Sequence, residues 1–308
     1  MKNSIAVCSR SFSKNIILRD EITAQFSDVT FNDEGLNLSG DSLIEFLKGH
    51  QKAIVALETI DFSILSKLPD LKVISKYGVG MDMLDMQALR KCGIRLGWEG
   101  GVNKRSVAEL VIGFAIVLLR HLYVCNAEVR SGIFKQKAGV QLSEKTFGII
   151  GCGNVGKDLV RLLQPFNCKI LVYDIEDYQD FYSEYGIITA SLEELLKLSD
   201  IVSIHIPFNE ASKNLIDGGK LAFMKSNAIL INTARGGIVD EGALKKSLMN
   251  GSLAGAAFDV FSPEPPSDLE LLNLVNFFST PHIGGSSIEA VLAMGRSAIK
   301  GLTKNNLV

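Results

Sequence analysis

Short apolar runs alternate with amphipathic segments along most of the chain. The strand-like runs fall within 4–8, 53–57, 71–82, 147–150, 169–174, 200–207, 228–237, 254–261 and 276–282, with helix-like segments between them. Buried strands that alternate with helices form parallel sheets covered by helices on both faces. The pattern therefore predicts an α/β fold built from doubly wound parallel sheets.

A glycine-rich loop lies in the middle of the chain. Residues 146–160 read TFGIIGCGNVGKDLV, a buried strand followed by a G-x-G-x-x-G turn and an amphipathic helix. Here Gly151 permits the turn, Gly153 lets a pyrophosphate approach the backbone, and Gly156 lets the helix pack closely on the strand. The helix N-terminus then offers free N–H groups to an anion. This spacing also occurs in other glycine-rich α/β turns, so the next strand decides between the two interpretations.

That next strand ends in an acid. Residues 169–174, KILVYD, place Asp174 18 residues after Gly156, close to the roughly 20 expected of a carboxylate that hydrogen-bonds an adenosine ribose. Asp174 would also repel a 2′-phosphate, and no arginine follows in IEDYQD. The predicted cofactor is NAD rather than NADP.

The position of the glycine loop also indicates the domain layout. A chain of 308 residues with 47% hydrophobic content can form two domains with separate cores. Strand-and-helix segments precede the loop and continue after it. We expect a cofactor domain at 100–283, inserted in a first domain made of 1–99 and 284–308.

One predicted helix, at 107–122, is apolar on nearly all sides. Its sequence, VAELVIGFAIVLLRHL, is too short to span a membrane and contains Glu109. The sheet of one domain covers only about half of such a helix. We therefore expect a homodimer in which a partner subunit covers the rest.

Composition excludes several classes of protein. The net charge is −2 and the basic residues are scattered, which argues against nucleic acid or a membrane surface as a partner. The five cysteines are scattered, odd in number and without C-x-x-C spacing, so neither a disulfide framework nor a metal site is expected. The N-terminal segment has no apolar core typical of a secretory signal. The expected compartment is the cytoplasm.

Seven segments together resemble one protein family. They are KYGVGMD (76–82), RSVAELVIG (105–113), GIIGCGNVGKD (148–158), SDIVSIHIP (199–207), NTARGGIVDEGAL (232–244), GAAFDVFSPEPP (255–266) and TPHIGG (280–285). In this order the chain resembles the D-isomer-specific 2-hydroxyacid dehydrogenases, in their phosphoglycerate-dehydrogenase-like branch. The resemblance implies an NAD-binding Rossmann domain inserted in a flavodoxin-like substrate domain. It also implies hydride transfer between NAD and a D-2-hydroxy acid, with 3-phosphoglycerate as one candidate.

The implied chemistry needs a group that accepts the substrate's hydroxyl proton. His282 stands at the end of a predicted strand, and Glu264 occupies the family's position for the carboxylate that pairs with this histidine and stabilises the imidazolium. Arg235 directly follows a strand, and its planar fork suits bidentate binding of a carboxylate. These three are the predicted catalytic residues, and no metal is expected.

Two further sets of contacts complete the predicted site. The glycine turn at 76–82 leaves backbone N–H groups bare, so that Gly78, Val79 and Gly80, preceded by Lys76, can bind the substrate carboxylate. The resemblance implies cofactor contacts from Gly151, Gly153, Asn154, Val155, Gly156, Asp174, Pro207, Thr233, Ala234 and Asp259. Among these, Pro207 would border the adenine and Asp259 would face the nicotinamide carboxamide.

The sequence departs from the phosphoglycerate dehydrogenases at one loop. Where these commonly carry an arginine for the substrate phosphate, the loop after 53–57 contains Glu58. Lys76, Lys104 or Arg105 could replace that arginine, so phosphorylation of the substrate stays open.

Two other functions share this scaffold. Formate dehydrogenases typically carry glutamine at the position of Glu264, which argues against that branch. NAD(H)-sensing corepressors can retain all three catalytic residues and are the alternative function, although no extended recruitment tail is expected.

Overall fold

A computed structural model describes residues 4–308. Residues 1–3, which belong to the segment in which no secretory signal is expected, lie outside the described part. The chain forms two compact units. One contains the chain up to Asn103 together with Ile288–Val308, and the other is Lys104–Ser287.

Strands and short helices alternate along both units. The strands are β1 (Ile5–Val7), β2 (Val29–Phe31), β3 (Lys52–Val55), β4 (Val73–Lys76), β5 (Arg95–Gly97), β6 (Thr146–Ile150), β7 (Lys169–Tyr173), β8 (Ile188–Thr189), β9 (Ile201–Ile204), β10 (Ile229–Asn232), β11 (Gly255–Phe258), β12 (Phe277–Ser279) and β13 (Asn306–Leu307). The helices are α1 (Arg10–Lys14), α2 (Ile16–Thr23), α3 (Gly40–Leu47), α4 (Phe62–Leu65), α5 (Met86–Lys91), α6 (Lys104–Leu119), α7 (Leu122–Arg130), α8 (Asn154–Leu163), α9 (Gln179–Tyr185), α10 (Leu192–Leu198), α11 (Gly218–Leu221), α12 (Glu241–Met249), α13 (Leu269–Leu272) and α14 (Ile288–Gly301). A 3₁₀ turn at Gln164–Phe166 follows α8.

The first unit is a flavodoxin-like sheet. Its strand order is β13-β5-β4-β3-β1-β2, and all neighbours are parallel except β13, which pairs antiparallel with β5. The parallel part has the order 2-1-3-4-5 of flavodoxin-like folds. Helix α14 returns to this unit from the far end of the chain and contributes the buried residues Ala298 and Ile299 to its core.

The second unit is a Rossmann sheet. Its order is β12-β11-β10-β9-β6-β7-β8, with every pair parallel. Counted from β6, this is the order 3-2-1-4-5-6 of dinucleotide-binding domains with one strand added. The order reverses at β6, between β7 and β9, and ligands bind outside the carboxyl ends of strands at such a point. The α/β class and both predicted sheet types are confirmed.

Local sequence explains many of the element boundaries. The central strands are buried along their full length, as expected of apolar runs in sheets covered on both faces. Helices α4, α5, α11, α12 and α13 each begin after an aspartate whose carboxylate accepts backbone N–H bonds from the first turn: Asp61, Asp85, Asp217, Asp240 and Asp268. Such caps satisfy N–H groups that have no partner inside the helix.

The apolar helix predicted at 107–122 begins and ends at other residues in the structure. Helix α6 begins at Lys104 and ends at Leu119, and a separate helix, α7, begins at Leu122. His121 between them has a positive φ of 53°, which interrupts the helical path. Among the described residues no single helix is long and apolar enough to cross a membrane, although α6 and α7, bent by 60°, pass that test of length and composition together.

Candidate active site

The glycine loop joins β6 to α8. Gly151 adopts φ 95°, which permits the turn. A Cβ at Gly156 would lie 2.2 Å from the carbonyl oxygen of Gly151, so strand and helix pack too closely there for any side chain. A Cβ at Gly153 would meet nothing within 4 Å. The loop is therefore tight on its inner side and open at Gly153, on the side where a pyrophosphate would approach.

The open side of this loop suits an anion. The N–H groups of Asn154 and Val155, in the first turn of α8, donate to no group among the described residues. Burial raises the pKa of the Cys152 thiol to about 11, so this side chain is neutral at neutral pH and adds no negative charge to the loop. Bare donors at a helix N-terminus and a neutral loop fit the diphosphate of NAD.

Asp174 follows β7 directly. Its Oδ2 accepts the Cys152 N–H at 2.5 Å, which ties the end of β7 to the glycine loop, and its Oδ1 accepts the Glu176 N–H at 3.0 Å. The carboxylate lines a cavity of about 220 Å³ that Glu176 and Asp177 also line. Three acidic side chains around one cavity favour a ribose hydroxyl over a 2′-phosphate.

The predicted cofactor residues Pro207, Thr233 and Ala234 follow β9 and β10 on the same edge of the sheet. The carbonyl oxygen of Pro207 accepts the Ser212 hydroxyl at 2.8 Å, and the Ala234 N–H donates to Asn232 Oδ1 at 3.1 Å. Thr233 is 8% exposed, and its buried hydroxyl has no hydrogen-bond partner among the described residues. A buried polar atom without a partner is costly unless a ligand supplies one. Thr233 thus provides a second structural reason that NAD fits here.

His282 and Glu264 form a hydrogen-bonded pair. The distance between His282 Nδ1 and Glu264 Oε2 is 2.9 Å, and the other carboxylate oxygen, Oε1, accepts the Phe261 N–H at 3.0 Å. Half of the His282 side chain is exposed. With Nδ1–H donating to the carboxylate, Nε2 is the ring nitrogen that can accept or return a substrate proton.

The loop that carries His282 is held by Asp259, at the end of β11. Asp259 is 1% exposed, and its carboxylate accepts the Thr280 hydroxyl at 2.5 Å and the backbone N–H groups of Ile283 and Gly284, each at 2.7 Å. The sequence suggested only a cofactor contact for Asp259 and did not single out Thr280. A hydroxyl two residues before His282 was the available signal, but its partner lies on another strand.

Arg235 lies just beyond β10, and its loop packs directly against the segment that leads to Glu264. A Cβ at Gly236 would lie 2.0 Å from the carbonyl carbon of Phe261, so the two loops touch through their backbones. The Asn232 side-chain amide donates to the Arg235 carbonyl at 2.9 Å, and the guanidinium donates to the Ala234 carbonyl at 2.7 Å. Arg235, Glu264 and His282 therefore all lie on loops at the carboxyl edge of one sheet.

The predicted substrate turn lies in the first unit. Gly78 has φ 122°, and the N–H groups of Gly78, Val79 and Gly80 donate to no group among the described residues. Lys76 is only 5% exposed, and its ammonium donates to the carbonyl oxygens of Ala56 and Tyr77. Lys76 therefore braces the turn from inside.

The other two cations proposed as phosphate partners belong to the second unit. Arg105 makes a bidentate ion pair with the buried carboxylate of Asp158, at 2.7 and 3.1 Å. Lys104 is the first residue of α6. Within residues 4–308, no group of three or more histidine, cysteine or acidic side chains could hold a metal ion.

Comparisons with known proteins show the family of this chain. Residues 112–284 match the family model described as D-isomer specific 2-hydroxyacid dehydrogenase, NAD binding domain. Hydroxypyruvate reductase of Thermotoga maritima is 32% identical over 299 residues, covering 93% of this chain and 96% of the relative. D-3-phosphoglycerate dehydrogenase of Methanocaldococcus jannaschii is 34% identical over 271 residues, and the match covers 87% of this chain but only 52% of that longer protein. The crystal structure of D-lactate dehydrogenase from Aquifex aeolicus with NAD and lactic acid superposes with a TM-score of 0.83 at 26% identity, covering 97% of this chain and 93% of that one.

Proposed function

Because this chain belongs to the D-isomer specific 2-hydroxyacid dehydrogenase family, we propose that His282, Glu264 and Arg235 catalyse hydride transfer between a D-2-hydroxy acid and NAD. The chain is an NAD-dependent oxidoreductase acting on the CH–OH group of 2-hydroxy acids, and NAD is its cofactor. The 2.9 Å contact between His282 and Glu264 is the observation that carries the residue assignment. The relatives are metabolic enzymes, which does not favour the corepressor alternative.

The proposed roles follow from what each side chain can do. When bound, NAD would supply the hydride acceptor for C2 of the hydroxy acid, and NADH would supply the hydride donor for the keto acid. His282 Nε2 takes the hydroxyl proton as the carbonyl forms, and gives it back in reduction. Glu264 holds the ring and stabilises the imidazolium. Arg235 binds the substrate carboxylate through two parallel N–H donors.

We propose that one unit binds the cofactor and the other binds the substrate carboxylate. We assign cofactor binding to Lys104–Ser287, which holds the glycine loop, Asp174 and Thr233. The first unit would bind the substrate carboxylate through the N–H groups of Gly78, Val79 and Gly80.

We further propose that the preferred substrate is small and unphosphorylated. The Glu58 carboxylate accepts the Ala56 N–H at 2.6 Å, while Lys76 donates to the carbonyl of the same residue, so Glu58 sits in the loop beside the substrate turn. Arg105 is paired with Asp158. A carboxylate beside the turn would repel a distal phosphate.

A stereochemically resolved substrate panel tests this function. We expect NADH oxidation with glyoxylate, hydroxypyruvate or pyruvate and less turnover of 3-phosphohydroxypyruvate. In the reverse direction we expect oxidation of D- but not L-2-hydroxy acids with NAD, because one face of C2 is fixed. Absence of steady turnover with every acid would favour the corepressor alternative. Selective turnover of the phosphorylated acid would contradict the role given to Glu58.

We propose that the active form is a homodimer. Helix α7 has no buried residue, residues 131–141 are all exposed, and Phe134 in this segment is 91% exposed. Large exposed apolar patches typically mark interfaces. We also assign the protein to the cytoplasm, because its five cysteines are free thiols, as expected in a reducing compartment.

A further inference from the structure

Trp98, the only tryptophan of the chain, contacts the substrate turn. It follows β5 directly, and its indole N–H donates to the carbonyl oxygen of Val79 at 3.0 Å. The side chain is 44% exposed. Nothing in the sequence patterns singled out this residue.

This hydrogen bond fixes the orientation of one peptide group. The carbonyl of Val79 and the N–H of Gly80 belong to the same peptide plane, and in a trans peptide they point in opposite directions. The Val79–Gly80 bond is not among the cis peptides of the chain. With the carbonyl held toward Trp98, the Gly80 N–H points away from the indole and stays free to bind an anion.

The position from which Trp98 reaches the turn is itself rigid. Gly97, the preceding residue, pairs with Ser75 of the neighbouring strand β4. A Cβ at Gly97 would lie 2.3 Å from the carbonyl oxygen of Gly301 in α14, so the backbone at this point packs closely against that helix. Lys76 braces the start of the same turn, with its ammonium 3.4 Å from the Cβ position of Gly78.

We propose that Trp98 is a positioning residue that aims the Gly80 N–H at the substrate carboxylate. This inference rests on the proposed function of the turn. The indole has a single N–H, which Val79 already uses, so Trp98 acts through the turn rather than by its own hydrogen bond to the substrate. This role would give a function to a large aromatic residue that is half exposed at the end of β5.

The decisive variant is Trp98→Phe, which keeps an aromatic ring but removes the donor. We expect KM for the 2-keto acid and the inhibition constant of oxamate, a carboxylate analogue of pyruvate, to rise about tenfold, as for a lost hydrogen bond to a binding group. The value of kcat and the Kd of NADH should stay near those of the wild type, because the lost interaction serves binding of the carboxylate. Trp98→Gln, which retains an N–H donor, should recover part of the loss.

Unchanged KM and oxamate inhibition in Trp98→Phe would overturn the proposal, as would an equal loss in both variants. A second measurement needs no variant. Because Trp98 is the only indole, adding oxamate should change the intrinsic fluorescence of the wild-type protein. The midpoint of this titration should equal the inhibition constant of oxamate. If the protein turns over no substrate, the midpoint should instead equal the Kd of oxamate measured by calorimetry. No fluorescence change at saturating oxamate would also overturn it. A wild type that binds oxamate but turns over no acid would refute the proposed function while leaving the role of Trp98 intact.

Discussion

At the scale of single residues, His282 combines an unusual backbone with a well-supported side chain. Its φ of 55° lies in the left-handed region, where asparagine is tolerated better than alanine. His282→Asn is therefore the variant that removes the proton acceptor with the least backbone strain. We expect kcat to fall by roughly 10²- to 10⁴-fold, the usual contribution of general acid–base catalysis.

The control for this prediction is cofactor binding. The affinity for NADH, measured by fluorescence titration, should be unchanged in His282→Asn, since the side chain pairs with Glu264 and not with the glycine loop. Near-normal turnover in this variant would remove His282 from the mechanism.

The sequence was enough to propose these three side chains as candidates, but it could not predict the contacts that hold them in place. His282, Glu264 and Arg235 lie in short recognisable motifs. The clamp that Asp259 forms with Thr280, Ile283 and Gly284 joins residues more than 20 positions apart, and only the pairing of β11 with β12 brings them together. The contact of Trp98 with Val79 depends in the same way on the neighbouring strands β4 and β5.

At the scale of elements, the loop between β6 and α8 contains two glycines, one beside open space and one packed against backbone. A methyl group at Gly153 meets open space, and its φ of −72° lies outside the left-handed region. A methyl group at Gly156 would overlap the Gly151 carbonyl. Gly153→Ala should therefore keep the melting temperature of the wild type and weaken NADH binding about tenfold or more by blocking approach to the backbone.

Gly156→Ala is the matched comparison. We expect it to lower the free energy of unfolding by about 1–3 kcal/mol, as overpacking does. Thermal melts without cofactor and NADH titrations would separate the two effects. A Gly153→Ala protein with wild-type NADH affinity would show that the open side of the loop does not face the cofactor.

The elements that sequence predicted well are the long buried ones. Runs such as 147–150 and 228–231 contain no polar side chain, and they form central strands. The strands β2, β5, β8 and β13, which lie at an edge of their sheet or next to one, have only two or three residues each, too few for a periodic pattern to emerge. The end of α6 was predicted three residues too late because Leu122 continues the apolar run, whereas the break depends on the backbone of His121.

At the scale of the whole molecule, the exposed apolar segment after α7 should decide the oligomeric state. The double variant Ile133→Asp, Phe134→Asp places two charges where the wild type exposes two apolar side chains. We expect light scattering to give a dimer for the wild type and a monomer for the variant. Ile16→Asp, at another exposed apolar position, on α2, should remain a dimer. A wild-type monomer at micromolar concentration would contradict the proposal.

The return of α14 to the first unit has a consequence for biosynthesis. Domains usually fold in the order in which the ribosome releases them. Here the first unit waits for α14, whose Gly295 packs so closely on Leu18 that a Cβ there would lie 2.3 Å from the leucine side chain. The Rossmann unit is complete once residue 287 has emerged. The part of the protein that is translated first is therefore the last to complete its core.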